Sequence, residues 1–163
     1  MKINETFSYD GASVERVYAI ITDQAFRTET CAEQGATDYS VTVEPNSGGG
    51  DTVTVIRTMP AEMPDFIKKL IGDTVKVKQT EEWAGADANG HRNAGIKVSI
   101  IGQPAEMKGT AEIVSAGNNA SFTLDGDVKV SIPFIGKKIE PEVAKAIVSS
   151  LRSEVALGTK KLS

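Results

Sequence analysis

PEVAKAIVSSLRSEVALGTKK, residues 141–161, is the stretch on which the fold turns. Pro141 suits a first helical turn, where its missing N–H leaves no bond unmade. Val143, Ile147, Leu151 and Val155 then recur every fourth residue, flanked by Ala144, Ala146 and Val148. The pattern predicts an amphipathic helix from about Pro141 to Lys161. About 20 helical residues reach about 30 Å, the width of a small domain. A stripe that long needs an extended partner, and the rest of the chain offers only a sheet.

Upstream, period-two alternation dominates. Ile3, Glu5, Phe7 and Tyr9 share one face of a first strand. Ser13 caps a short helix bearing Val14, Val17, Tyr18 and Ile21 at helical spacing, and Asp23 opens a second that Gly35 stops. Tyr39 to Val43 and Asp51 to Thr58 form a hairpin across Pro45-Asn46-Ser47-Gly48-Gly49-Gly50. Pro64 and Gly72 bracket a short helix bearing Phe66, Ile67, Leu70 and Ile71. Alternation resumes at Thr74–Trp83, where Val75, Val77, Gln79, Glu81 and Trp83 share a face. It recurs at Ala94–Ile100, at Met107-Gly109-Ala111-Ile113 and at Phe122-Leu124-Gly126-Val128-Val130. The expected fold is therefore α+β: a curved seven-stranded antiparallel sheet wrapped around a long C-terminal helix. Two short helices follow strand one, and a third lies between strands three and four. No linker divides the chain, so 1–163 reads as a single domain.

Composition narrows the functions. Apolar residues make up 40% and charged residues 25%, an ordinary globular balance. A net charge of −4 without a basic block argues against nucleic-acid binding, which needs clustered cations. One cysteine, Cys31, and one histidine, His91, leave no disulfide and no cysteine- or histidine-based metal site. The first residues lack a signal-peptide apolar run, and no stretch approaches a membrane span, so the expected location is cytoplasmic without stable membrane insertion.

The element order resembles the START-like (SRPBCC, helix-grip) superfamily over nearly the whole chain. Ala12-Ser13-Val14-Glu15-Arg16-Val17-Tyr18-Ala19-Ile20-Ile21-Thr22-Asp23 before Phe26 looks like its first helix. Gln79-Thr80-Glu81-Glu82-Trp83 and Ile132-Pro133-Phe134-Ile135-Gly136-Lys137-Lys138-Ile139-Glu140 look like a bacterial family of unknown function within it. The resemblance implies a cavity between sheet and long helix, often filled by an apolar ligand, and no fixed catalytic set.

Small residues at inward positions, Gly109, Ala111, Gly126, Ala94, Ala144 and Ser150, fit such a hollow. Phe7, Phe122, Leu124, Trp83 and Met107 could equally fill it, and the glycines could serve strand bending alone. The cavity candidates are Tyr39, Arg57, Phe66, Leu70, Gln79, Glu81, Trp83, Val98, Met107, Gly109, Phe122, Leu124, Phe134, Val143, Ile147 and Leu151. Glu81 and Arg57 fall on apolar faces, where a carboxylate or guanidinium needs a partner. They either pair with each other or orient a ligand's polar head. Phe66 and Phe134 are expected at the entrance.

Catalytic chemistry finds little support. His91 lies in a polar turn with no nucleophile or carboxylate placed by spacing, and Cys31 has no base near it in sequence. Asp125 and Asp127 share the strand face opposite Phe122 and Leu124, which should be solvated. The expected function is binding of a hydrophobic or amphipathic molecule, lipid or isoprenoid-like, by a monomer or homodimer with no cofactor. The alternatives are a cyclase- or hydratase-like enzyme using Glu81, Arg57 and Tyr39, and an interaction module with a filled core.

Overall fold

The computed structural model describes residues 1–163. The elements run β1 (Lys2–Tyr9), α1 (Val14–Ile21), α2 (Gln24–Glu33), β2 (Asp38–Pro45), β3 (Asp51–Pro60) and α3 (Asp65–Ile71). They continue as β4 (Thr74–Trp83), β5 (Arg92–Ile100), β6 (Ala105–Ala116), β7 (Asn119–Val130) and α4 (Gly136–Leu162). All seven strands form one antiparallel sheet in the order β1-β7-β6-β5-β4-β3-β2. From β2 onward each strand pairs with its successor. Strand β1 returns to pair with β7, Phe7 opposite Phe122. Helices α1 and α2 therefore carry the chain from one sheet edge to the other.

The pleat sorts the residues as the alternation requires. Along β7, Phe122, Leu124, Val128 and Val130 are buried, while Asp125, Asp127 and Lys129 face water. Helix α1 starts at Ser13, whose hydroxyl accepts the Arg16 N–H at 3.2 Å. It buries Val14, Val17, Tyr18 and Ile21. The Tyr18 hydroxyl donates to Asp51 at 2.6 Å, and Arg92 lies 3.7 Å over its ring.

Two expectations need correction. Helix α4 begins at Gly136, not Pro141, and carries Pro141 inside it. The extra turn is anchored elsewhere: Ile139 is buried, and Glu140 accepts the Val130 N–H at 3.1 Å. Its first bonds, Lys138 and Ile139 N–H to the Ile135 carbonyl, precede Pro141 and do not need its missing donor. The glycine pair Gly109 and Gly126 leaves no space at all. They face each other across β6 and β7, and a Cβ on Gly109 would strike the β7 backbone at Asp125 and Gly126. Met107 fills the room over Gly126. These glycines permit close strand approach, the alternative held open above.

Candidate functional site

Helix α4 packs on β7, β1, α1 and α2, and its midsection stands away from the remaining strands. Its apolar row shows this directly. Val143 and Val155, at the ends, are buried, whereas Ile147 and Leu151 between them are half-buried and face a void. The void is a cavity of about 470 Å³ bounded by α2, α4 and the concave side of β3 to β7. Hydrophobic side chains form most of its wall, among them Val55, Val77, Ile96, Val98, Met107, Phe122 and Leu124. Toward one end it is framed by Pro60, Glu62, Met63, Glu142, Lys145 and Ala146, most of them exposed. Behind the opposite end stands Trp83, its ring 5.9 Å from Tyr18 and 6.3 Å from Phe122.

The wall carries a buried polar cluster. Arg27 comes from α2, where Arg27, Thr30, Cys31 and Gln34 lie at helical spacing and all face the cavity. Its Nη1 and Nη2 donate to Glu81 Oε1 and Oε2 at 3.0 and 2.6 Å, and Nη1 also donates to the Ile21 carbonyl at 3.0 Å. Glu81 further accepts from Gln79 Nε2 at 2.6 Å and from Trp83 Nε1 at 3.0 Å. Burial opposes the charge on Glu81. Arg27 and these hydrogen bonds outweigh it and hold the carboxyl below its usual range. Glu154 of α4 approaches Arg27 Nε at 3.0 Å, without the alignment of a hydrogen bond. Burial pushes Glu154 up, and Glu81 adds to the push, while Arg27 only partly offsets both. The two carboxyls that share Arg27 are thus driven apart.

Arg57 stands differently. It is 7% exposed on β3 and lines the cavity. Its one hydrogen bond is a long one, Nη2 to Gln79 Oε1 at 3.4 Å, and its Nε has no partner. Burial lowers its hold on the proton. The Cys31 thiol lies beside it; burial pushes the thiol up and Arg57 draws it partly back.

Arg57, Gln79, Glu81, Val98, Met107, Phe122, Leu124, Val143, Ile147 and Leu151 are brought together around the cavity. Six other candidates are not. Tyr39 sits on the edge strand β2 and is 37% exposed. Trp83 lies behind the cavity and touches it only through its bond to Glu81. Gly109 is closed over by β7. Phe66 and Leu70 form the outward row of α3, because Ile67 and Ile71 take the inward one. Phe134 is fully exposed at the centre of a γ-turn, with φ 70° and Ile135 N–H bonded to the Pro133 carbonyl at 2.9 Å. Phe66, Leu70, Ile101 and Phe134 do gather at the sheet end where Pro60, Glu62 and Met63 frame the cavity. Glu81 and Arg57 do not pair; Glu81 belongs to Arg27. Arg27 and Glu154 are the buried charged residues of the cavity wall that the candidates did not include. The signal was a charged residue on the same helical row as Thr30, Cys31 and Gln34.

The structural likeness is to proteins of the same architecture. A Thermus thermophilus protein of known crystal structure matches with a TM-score of 0.64 at 16% identity, over 98% of this chain and 95% of that one. A START superfamily protein from Mycobacterium smegmatis matches with a TM-score of 0.60 at 14% identity, over 99% of each chain. The Zhui aromatase/cyclase of Streptomyces matches with a TM-score of 0.62 at 8% identity, over 99% and 92%. In sequence, uncharacterized proteins of Mycobacterium tuberculosis and Mycobacterium bovis are 29% identical over 140 residues, 81% of this chain and 79% of theirs. The model of the family described as a protein of unknown function, DUF2505, matches residues 4–162. The chain thus has the START-superfamily helix-grip fold and belongs to the DUF2505 family.

Proposed function

We propose that this protein binds a hydrophobic or amphipathic small molecule, lipid or isoprenoid-like, between its sheet and α4. One observation carries the reading: the cavity of about 470 Å³ under the middle of α4. Drug-sized sites occupy roughly 300–1,000 Å³ and are mostly apolar with a few placed polar groups. Arg27, Arg57, Gln79, Glu81 and Glu154 are such groups here. A structural neighbour of this chain is an aromatase/cyclase, which supports a small-molecule reading of the shared architecture.

The test is direct. Purified protein is extracted with solvent and the extract analysed by mass spectrometry, then stripped protein is titrated with the neutral dye N-phenyl-1-naphthylamine. A co-purifying amphiphile and saturable dye binding are expected. Ser150→Phe, on the cavity face of α4, should abolish dye binding while leaving the circular dichroism spectrum unchanged. A parent that binds no dye sinks the reading.

A second reading, an enzyme, draws support from the split between Glu81 and Glu154. Of the two, the carboxyl that burial pushes up is the one suited to hold and deliver a proton. Glu81, with four donors engaged, is not free to act as a base. Glu154 is then the acid. Turnover of a carbonyl substrate that disappears in Glu154→Gln, with dye binding intact, would favour it.

A further inference from the structure

We infer that the ligand carries one anionic head, a carboxylate in the simplest case, and that Arg57 receives it. The inference rests on the binding reading above and adds the head-group chemistry.

The two buried arginines of the cavity wall are unequally served. Arg27 takes both carboxyls as direct ion-pair partners, Glu81 and Glu154. Arg57 is bonded to neither, although both lie near enough to favour its charge from a distance. Its guanidinium holds five donors, of which one makes a 3.4 Å bond to an uncharged amide and Nε makes none. A buried cation without an anion is costly, and proteins seldom keep one without use. The fork of a guanidinium matches a carboxylate or phosphate in two parallel bonds. Arg57 also sits at the right depth. Its pairing partner is Val77, and Val55 opposite Gln79 lies one inward position deeper. Val98, Met107, Ile147 and Leu151 supply apolar wall for a tail. The carboxyls do not forbid an anion. Glu81 is neutralised by Arg27, and burial and Glu81 push Glu154 toward its neutral form against the pull of Arg27 and Arg57.

The experiment displaces N-phenyl-1-naphthylamine from stripped protein with dodecanoate, dodecyl phosphate, dodecanol and dodecyltrimethylammonium. In the parent, an anionic competitor should outcompete dodecanol by about tenfold or more, since a charge-assisted fork replaces an unpaired cation. The better of dodecanoate and dodecyl phosphate identifies the head. In Arg57→Met the preference for anions over dodecanol should vanish, read as a ratio within the variant so that its own dye affinity cancels; Arg57→Lys should keep part of it. Dodecanol matching both anions in the parent would overturn the inference while leaving the cavity reading intact. So would an anion preference that survives in Arg57→Met. Loss of dye binding by the parent itself removes the cavity reading and the inference together. A readout independent of ligand accompanies these: ligand-free Arg57→Met should melt no lower than the parent. A lower Tm would make Arg57 a structural residue and also count against the inference.

Discussion

Arg27 Nη2 lies 2.6 Å from Glu81 Oε2 with both side chains almost wholly buried, a bond that ties α2 to β4 across 54 positions of sequence. Removing the cation alone leaves Glu81 charged in a dry site with only Gln79 and Trp83 to serve it. Arg27→Met should therefore cost about 3–5 kcal/mol, read from urea denaturation at neutral pH. A cost under 1 kcal/mol would show that the pair adds nothing to the fold.

The same cluster sets a pH response with two opposed limbs. Burial works against the Glu81 charge, but Arg27 and the hydrogen bonds prevail and keep its folded pKa below the unfolded value. Its stability is present above the unfolded pKa, about 4.3, and lost as pH falls through the folded value. Glu154 runs the other way. Burial raises its pKa, so its favourable share is complete below about 4.3 and fades as pH rises through the folded value. Urea midpoints from pH 3 to 8 should show Glu81→Gln flattening the acid limb. Glu154→Gln should flatten the decline on the alkaline side.

Two glycines should respond oppositely to the same methyl. Gly109→Ala drives a Cβ into the β7 backbone and should cost about 3 kcal/mol. Gly95→Ala, exposed on β5 with nothing near its Cβ, should stabilise by about 0.5–1 kcal/mol through the unfolded chain. Thermal melts of both variants check the pair.

Phe134 holds a left-handed backbone without any burial in return. Such a conformation costs a non-glycine residue about 1–2 kcal/mol. Phe134→Gly should be neutral or stabilising, because relief of that cost offsets the added freedom of the unfolded chain. Phe134→Val should lower stability by about 1 kcal/mol. The two melting curves, taken against the parent, decide it.

Strand and helix positions were readable because alternation and the four-residue recurrence are local properties. Thr74–Trp83 matches its element end to end, and the stripe from Val143 to Val155 fixed the helix that covers the cavity. The first turn of α4 was hidden because Gly136 and Pro141 both speak against a helix there. What anchors it is the bond from Val130 to Glu140, between two elements. The site was half visible. Gln79, Glu81 and Arg57 stood out as polar residues on apolar faces. The partner of Glu81 did not, because nothing in the spacing of α2 reports that Arg27 will meet β4. Phe66 and Leu70 read as cavity-lining because a short helix with two adjacent apolar rows does not say which one turns inward.

The pairing of β1 with β7 constrains the order of events during synthesis. Thr6 meets Thr123, 117 positions later, so the first strand emerges long before its only neighbour in the sheet exists. Contacts of such separation slow folding. A nascent chain can zip β2 through β7 as successive hairpins, but β1 must wait beside them as a free edge. Closure of that edge is the late step at which delayed translation or a destabilised β7 would expose the protein to aggregation.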